Sequence, residues 1–187
     1  LESMRRAALA PPRLYRCAVH PIPSADDAPA IALDAIADLI RFDPRGSHLT
    51  RWEFFNLAMR RMEASHHLYS HCDGNRLAMF CWVGPRAEVQ EEISAARSDS
   101  PPADGIVLYD LYVHRSFGNK DLVRRFAERI VLDLKSRHPV EDFYFVGSPN
   151  DAVHAPIRQS IFSIQVGMAP VRRAAGRAAQ PAVPSET

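Results

Sequence analysis

The chain is poor in cysteine and glycine and carries almost no net charge. Its three cysteines, Cys17, Cys72 and Cys81, show no CxxC spacing and do not form a disulfide framework. Cys81 stands between Phe80 and Trp82, where apolar burial raises a thiol pKa, so it reads as packed core rather than as a nucleophile. A formal net charge of +1 gives no concentrated basic surface, and no nucleic-acid partner is expected. No apolar run is long enough to span a bilayer and no charged-then-apolar leader opens the chain, so no transmembrane segment and a cytoplasmic location are expected.

What is present suits one ordinary domain. A length of 187 residues with 47% hydrophobic and 24% charged side chains can bury a single core. Leu1–Ser3 reads as a cloning scar before Met4, and residues 1–12 form a flexible N-terminal segment. Residues 13–168 form the domain. Residues 169–187, rich in Ala, Arg and Pro without apolar periodicity, form a disordered tail.

Within the domain the pattern alternates. Leu14–Val19 is a strand. A helix capped at Asp26 or Asp27 carries Ile31, Ile36, Leu39 and Ile40, and Pro44-Arg45-Gly46 ends it. A second helix starts near Ser47–Thr50, with Trp52, Phe55, Met59 and Met62 as its core face. His67–His71 and Leu77–Val83 form a hairpin turning at Cys72-Asp73-Gly74-Asn75. Ala87–Ser94 is a short acidic helix. Ile106–His114 is a strand, followed by a turn and a helix to Arg137 whose face is Leu122, Phe126, Ile130 and Leu134. Asp142–Val146 is a further strand, and Pro149–Phe162 is loop and helix. The fold class is α/β of the α+β kind: a mixed, mostly antiparallel central sheet with helices on both faces. His66, His67 and His71 lie near Cys72 and Asp73, but not at zinc spacing, and no metal is expected.

The turn Arg115-Ser116-Phe117-Gly118-Asn119-Lys120 aims the first N–H groups of a long helix outward. Such groups lack intrahelical partners and favour a phosphate. Arg115 and Lys120 add charge, and Gly118 allows close approach. This segment resembles the pyrophosphate loop of the GNAT acyltransferases, with Lys120 where that family has a small residue. The resemblance implies a GNAT-like fold and makes Arg115, Ser116, Phe117, Gly118, Asn119 and Lys120 the donor-binding residues. Many members follow the next strand with an Asn and then a Tyr that protonates the leaving thiolate. Here Asn150 is present, but no Tyr follows before Phe162.

Residues 42–146 also resemble the toxin-activating lysine acyltransferases that fatty-acylate RTX toxins. Gly46-Ser47-His48-Leu49-Thr50-Arg51-Trp52, Met79-Phe80-Cys81-Trp82 with Glu88, Glu91 and Glu92 after it, and Asp110 ahead of Ser116-Phe117-Gly118 carry the likeness. It implies His48 and Asp110 as the catalytic pair. Strand alternation puts Leu108, Asp110 and Tyr112 on one face, and a carboxylate in this apolar strand is costly unless paired or functional.

The expected function is acyl transfer from a thioester donor to a lysine amine of a partner protein. The donor is acyl-carrier protein or acyl-CoA, and no cofactor is permanently bound. The alternatives are an acetyl-CoA-dependent GNAT N-acetyltransferase and a non-catalytic binding module of the same fold. A homodimer is compatible with the sequence.

Overall fold

The computed structural model describes residues 13–17, 29–45, 49–89, 104–139, 142–148, 151–162 and 164–165. The N-terminal segment, the C-terminal tail, the caps at Asp26 and Asp27, His48, Asn150 and most of the acidic stretch after Glu88 lie outside them. The described strands are β1 (Arg13–Arg16), β2 (Ala32–Leu33), β3 (His67–Asp73), β4 (Arg76–Pro85), β5 (Ile106–Val113), β6 (Phe143–Gly147) and β7 (Ile164–Gln165). The helices are α1 (Ile36–Leu39), α2 (Arg51–Glu63), α3 (Lys120–Arg137) and α4 (Ala155–Ser160).

The strands form one seven-stranded sheet in the order β2-β3-β4-β5-β6-β1-β7. Every described pairing is antiparallel except β5 with β6. The parallel pair is joined through α3, as a crossover between parallel strands requires. One face of the sheet is covered by α3 and α4 through Val123, Phe126, Ile130, Leu134, Ile157 and Ile161. The other face is covered by α1 and α2 through Leu39, Phe54 and Ala58, against Leu68, Trp82 and Tyr109. The mixed sheet with helices on both faces is the architecture expected from the sequence.

The hairpin forms as expected. Gly74 takes φ of +56°, which the two-residue turn between β3 and β4 favours. The strand β1 is shorter than Leu14–Val19 on the described residues, ending at Arg16. Around residue 31 the expectation of a long helix is wrong. Ala32–Leu33 is a strand against β3, and the helix is one turn, Ile36–Leu39. Asp34 makes the break. Its backbone is left-handed, its N–H donates to the Leu68 carbonyl, and its carboxylate accepts from the Leu68 N–H. That exchange extends the sheet at the cost of the helix. After β4 only a 3₁₀ turn, Arg86–Glu88, forms where a short helix was expected to begin.

Helix α2 starts where expected, with a reciprocal cap. The Glu53 N–H donates to Thr50 Oγ1 and the Thr50 N–H donates to Glu53 Oε2. Its core face is displaced by one position from the expected stripe. Phe54 and Ala58 are buried, whereas Trp52 is 71% exposed. Apolar residues at 52, 54, 55, 58, 59 and 62 allow either phase. The stacked Phe42–Phe54 rings, with centroids 4.0 Å apart, settle it. Helix α3 has the expected apolar face, widened by Val123, Ala127 and Val131.

Gly105 feeds the chain into β5 with φ of +125°, and a Cβ there would lie 2.7 Å from the Asp142 carbonyl oxygen. That oxygen accepts from Ile106 N–H at the start of the parallel ladder. Gly105→Ala is therefore expected to lose about 1–3 kcal/mol of stability by denaturant titration. An unchanged midpoint would show that this entry is not strained by a side chain.

Candidate functional site

Strand β5 is not regular. Trp82 faces Tyr109 and Phe80 faces Tyr112, so Cys81 alone stands opposite Asp110 and Leu111. This is a bulge with one extra residue on β5. Asp110 takes φ of +50°, a left-handed conformation that Asp adopts more readily than most residues but still at a cost. The bulge corrects the expected alternation. Leu108 packs with the α3 side, Tyr112 packs with the α2 side, and Asp110 is the residue at which the strand changes phase. Cys81 is core, as read from the sequence. Its thiol donates to the Tyr109 carbonyl, and burial, then the Asp110 charge, push its pKa far up.

The Asp110 carboxylate is 48% exposed and has one firm partner. Arg61 Nη1, from α2, donates to Asp110 Oδ2 at 2.6 Å. The Arg61 guanidinium lies 5.2 Å from the Trp82 ring centroid and 5.0 Å from that of Tyr109. The Tyr109 hydroxyl bonds His66 Nδ1, and Glu88 stands 3.7 Å from His66 Nε2. A buried aromatic and imidazole stack thus fixes the arginine, and the arginine fixes the carboxylate.

Asp110 lines a cavity of about 290 Å³ with Phe42, Leu49, Phe54, Phe80, Leu111, Tyr112, Val113, Asp151 and Val153. Most of the lining residues are apolar, but polar and apolar wall are nearly equal, and the two carboxylates are Asp110 and Asp151. Leu49, directly after His48, is one wall, held there by the cap of α2 at Thr50. His48 itself lies outside the described residues.

Beside the bulge the two parallel strands part. β5 and β6 are in register only from Ile106–Phe143 to Leu108–Phe145. His154 bridges the gap. Its Nδ1 accepts from the Ser148 N–H at 3.0 Å, leaving Nε2 to donate to the Leu111 backbone carbonyl. Burial lowers its pKa, against the raising effect of Asp151 and Asp110. His154 is a neutral stitch between the ends of two strands.

The expected donor loop is a 3₁₀ turn, Arg115–Phe117, followed by Gly118 and the Asn119 cap of α3. The Ser116 N–H donates to His114 Nδ1 and the Phe117 N–H to the His114 carbonyl. Asn119 Oδ1 accepts from the Asp121 N–H. The N–H groups of Gly118, Lys120 and Leu122 have no partner among the described residues. Gly118 has φ of −68° and open space where a Cβ would be, so neither backbone nor packing demands a glycine there. Lys120 and Arg115 supply positive charge, and Asp121 in the first turn of α3 opposes an anion.

Comparison with protein-family models, with curated proteins and with solved structures finds no match to this chain. The geometry stands by itself. It brings Asp110 and the neighbour of His48 to one cavity and sets the Arg115–Lys120 turn just beyond the end of the same strand, two residues after Val113. Sequence reasoning missed Arg61 and His154. Arg61 is 49 residues from Asp110, and its helix phase was assigned one position off. His154 carries no motif, because its role depends on where two strands separate.

Burying His154 as a neutral ring has a pH signature. Its folded pKa lies below the unfolded value, so the unfolded chain binds more protons as pH falls through about 6.5. Stability contributed by the neutral ring is complete above that pH and is lost below it, by up to about 1.4 kcal/mol per pH unit for one proton. His154→Gln should flatten that slope relative to wild type in denaturant titrations across this window. Parallel curves for the two proteins would exclude His154 as the titrating group.

Proposed function

We propose that the chain is an acyltransferase that moves an acyl group from a thioester donor, acyl-carrier protein or acyl-CoA, to a lysine amine of a partner protein. The observation that carries this reading is Asp110. It is a half-exposed carboxylate held in left-handed backbone at a strand bulge, on the wall of a cavity lined mostly by apolar residues. Strained backbone of that kind persists where surrounding structure over-determines it, and function is a frequent reason. The apolar walls suit an acyl chain, and the carboxylate suits an amine.

A lysine amine is protonated near neutral pH and must lose a proton before it attacks. His48, on the segment next to Leu49, is the proposed general base. Asp110 Oδ2 is taken by Arg61, so Oδ1 is the oxygen left to accept an N–H of the amine and orient it. The amine nitrogen then attacks the thioester carbonyl carbon. An amide bond forms and the carbon–sulfur bond breaks; of the two protons the nitrogen loses, His48 passes the first, from the ammonium, to solvent, and the second, lost as the amide forms, goes to the departing thiolate. The Arg115–Lys120 turn supplies the contacts for the donor phosphate.

A second reading, a non-catalytic binding module of this fold, is favoured by His154, which fills the gap between β5 and β6. The two readings separate by mass spectrometry of lysine acylation after co-expression with proteins encoded nearby. Asn tolerates the left-handed region as Asp does, so Asp110→Asn is expected to fold. It should lose about 100-fold or more of acyl transfer, as should His48→Ala. Full activity in both folded variants would remove the proposed pair.

A further inference from the structure

A second cavity with charged walls lies apart from the Asp110 cleft. It has a volume of about 620 Å³ and lies on the other side of Phe42, which lines both. Four arginines, Arg41, Arg45, Arg51 and Arg76, line it against a single carboxylate, Asp43. They come from three separate places: the end of α1 and the chain after it, the first turn of α2, and the start of β4. All four are exposed at the rim of one concavity, where an anion can reach them together.

Each group is held or available in a particular way. Arg51 Nε donates to the Phe42 carbonyl, which anchors the side chain and leaves its terminal nitrogens outward. Arg45 forks onto Asp43, with Nε and Nη2 donating to the carboxylate at 2.8–3.0 Å. Asp43 is bracketed on its other side by buried His114, whose Nε2 stands 3.7 Å away. Hydrogen bonds from Arg45 hold the Asp43 carboxyl well below the usual range, so it stays ionised and its charge is spent on Arg45. Arg41 reaches Asp38 at 3.4 Å, outside the cavity lining. Arg76 has no partner among the described residues. Counting Asp38 and Asp43 against the four arginines still leaves the site cationic.

We propose that this cavity binds a nucleotide bearing two or more phosphate groups. Guanidinium forks match phosphate oxygens in pairs, and a cavity of about 620 Å³ with arginines on several sides has room for more than one phosphate. The remaining lining fits the rest of a nucleotide. Ile40, 64% exposed, with Pro44 beside it, offers an apolar surface, and the Asn75 amide can donate to and accept from a base edge. The volume falls within the range of small-molecule sites. A polynucleotide is disfavoured, because the charge sits in a concavity and the whole chain has a net charge of only +1. The inference does not depend on acyl transfer, since neither His48, Asp110 nor the Arg115–Lys120 turn lines this cavity.

Isothermal titration of the full chain with ADP, inorganic pyrophosphate and adenosine tests it. ADP should bind, pyrophosphate should bind more weakly, adenosine should not bind, and added salt should weaken both anions. Arg76→Ala and Arg51→Ala should each raise the ADP dissociation constant about tenfold or more. Arg129→Ala removes the same charge from α3 on the opposite face of the sheet and should leave it unchanged. Absence of ADP binding to the wild-type chain overturns the proposal. So does equal weakening by Arg129→Ala, which would mean attraction by overall charge alone.

Discussion

The parallel pairing of β5 with β6 is short, and the rest of the molecule is arranged around where it stops. Three register pairs, Ile106–Phe143 to Leu108–Phe145, hold the centre of the sheet together. Beyond them β5 turns toward β4 through the bulge at Asp110, and β6 keeps its course toward β1. Two strands that part within a sheet expose backbone donors and acceptors in an otherwise apolar interior, and these must be satisfied. His154 does this for Leu111 and Ser148, which is why an imidazole is buried there in its neutral form.

The same break accounts for the placement of Asp110. An extra residue on one strand has no partner opposite it, so its side chain is directed by local backbone and not by the pleat. The Asp110 carboxylate stays half exposed, beside the rings of Trp82 and Tyr109. Arg61 lies across the two rings and donates to one carboxylate oxygen. The cluster below it, Tyr109 with His66, keeps the arginine from relaxing away. The result is a carboxylate with one oxygen fixed and one oxygen available at a cavity wall.

Phe42 links the two cavities. Stacked on Phe54 and tilted against Tyr112, it separates the carboxylate-bearing cleft from the arginine-lined one. The segment Phe42–Arg45 therefore contributes apolar wall to one side and charge to the other. One cavity is lined mostly by apolar residues with acidic groups, the other is cationic, and they share a single aromatic partition.

The sequence by itself determined the elements whose signals are local. The Gly74-Asn75 turn, the Thr50–Glu53 cap, the long α3 with its apolar face and the strand at Ile106 are set by residues within a few positions of each other, and each appears where those residues put it. It also pointed to Asp110 as out of place in an apolar strand. Tertiary structure decided whatever needed a partner distant in the chain. Leu68 turned residues 32–33 into an edge strand, because paired backbone groups outweigh even the helix preference of Ala and Leu. Phe42 chose between two apolar faces of α2 that the sequence left equivalent, exposing Trp52 and burying Phe54. The bulge at Asp110, its hold on Arg61 and the four arginines around one cavity follow from strand register and helix placement, which the sum of many long-range contacts fixes and no short motif encodes.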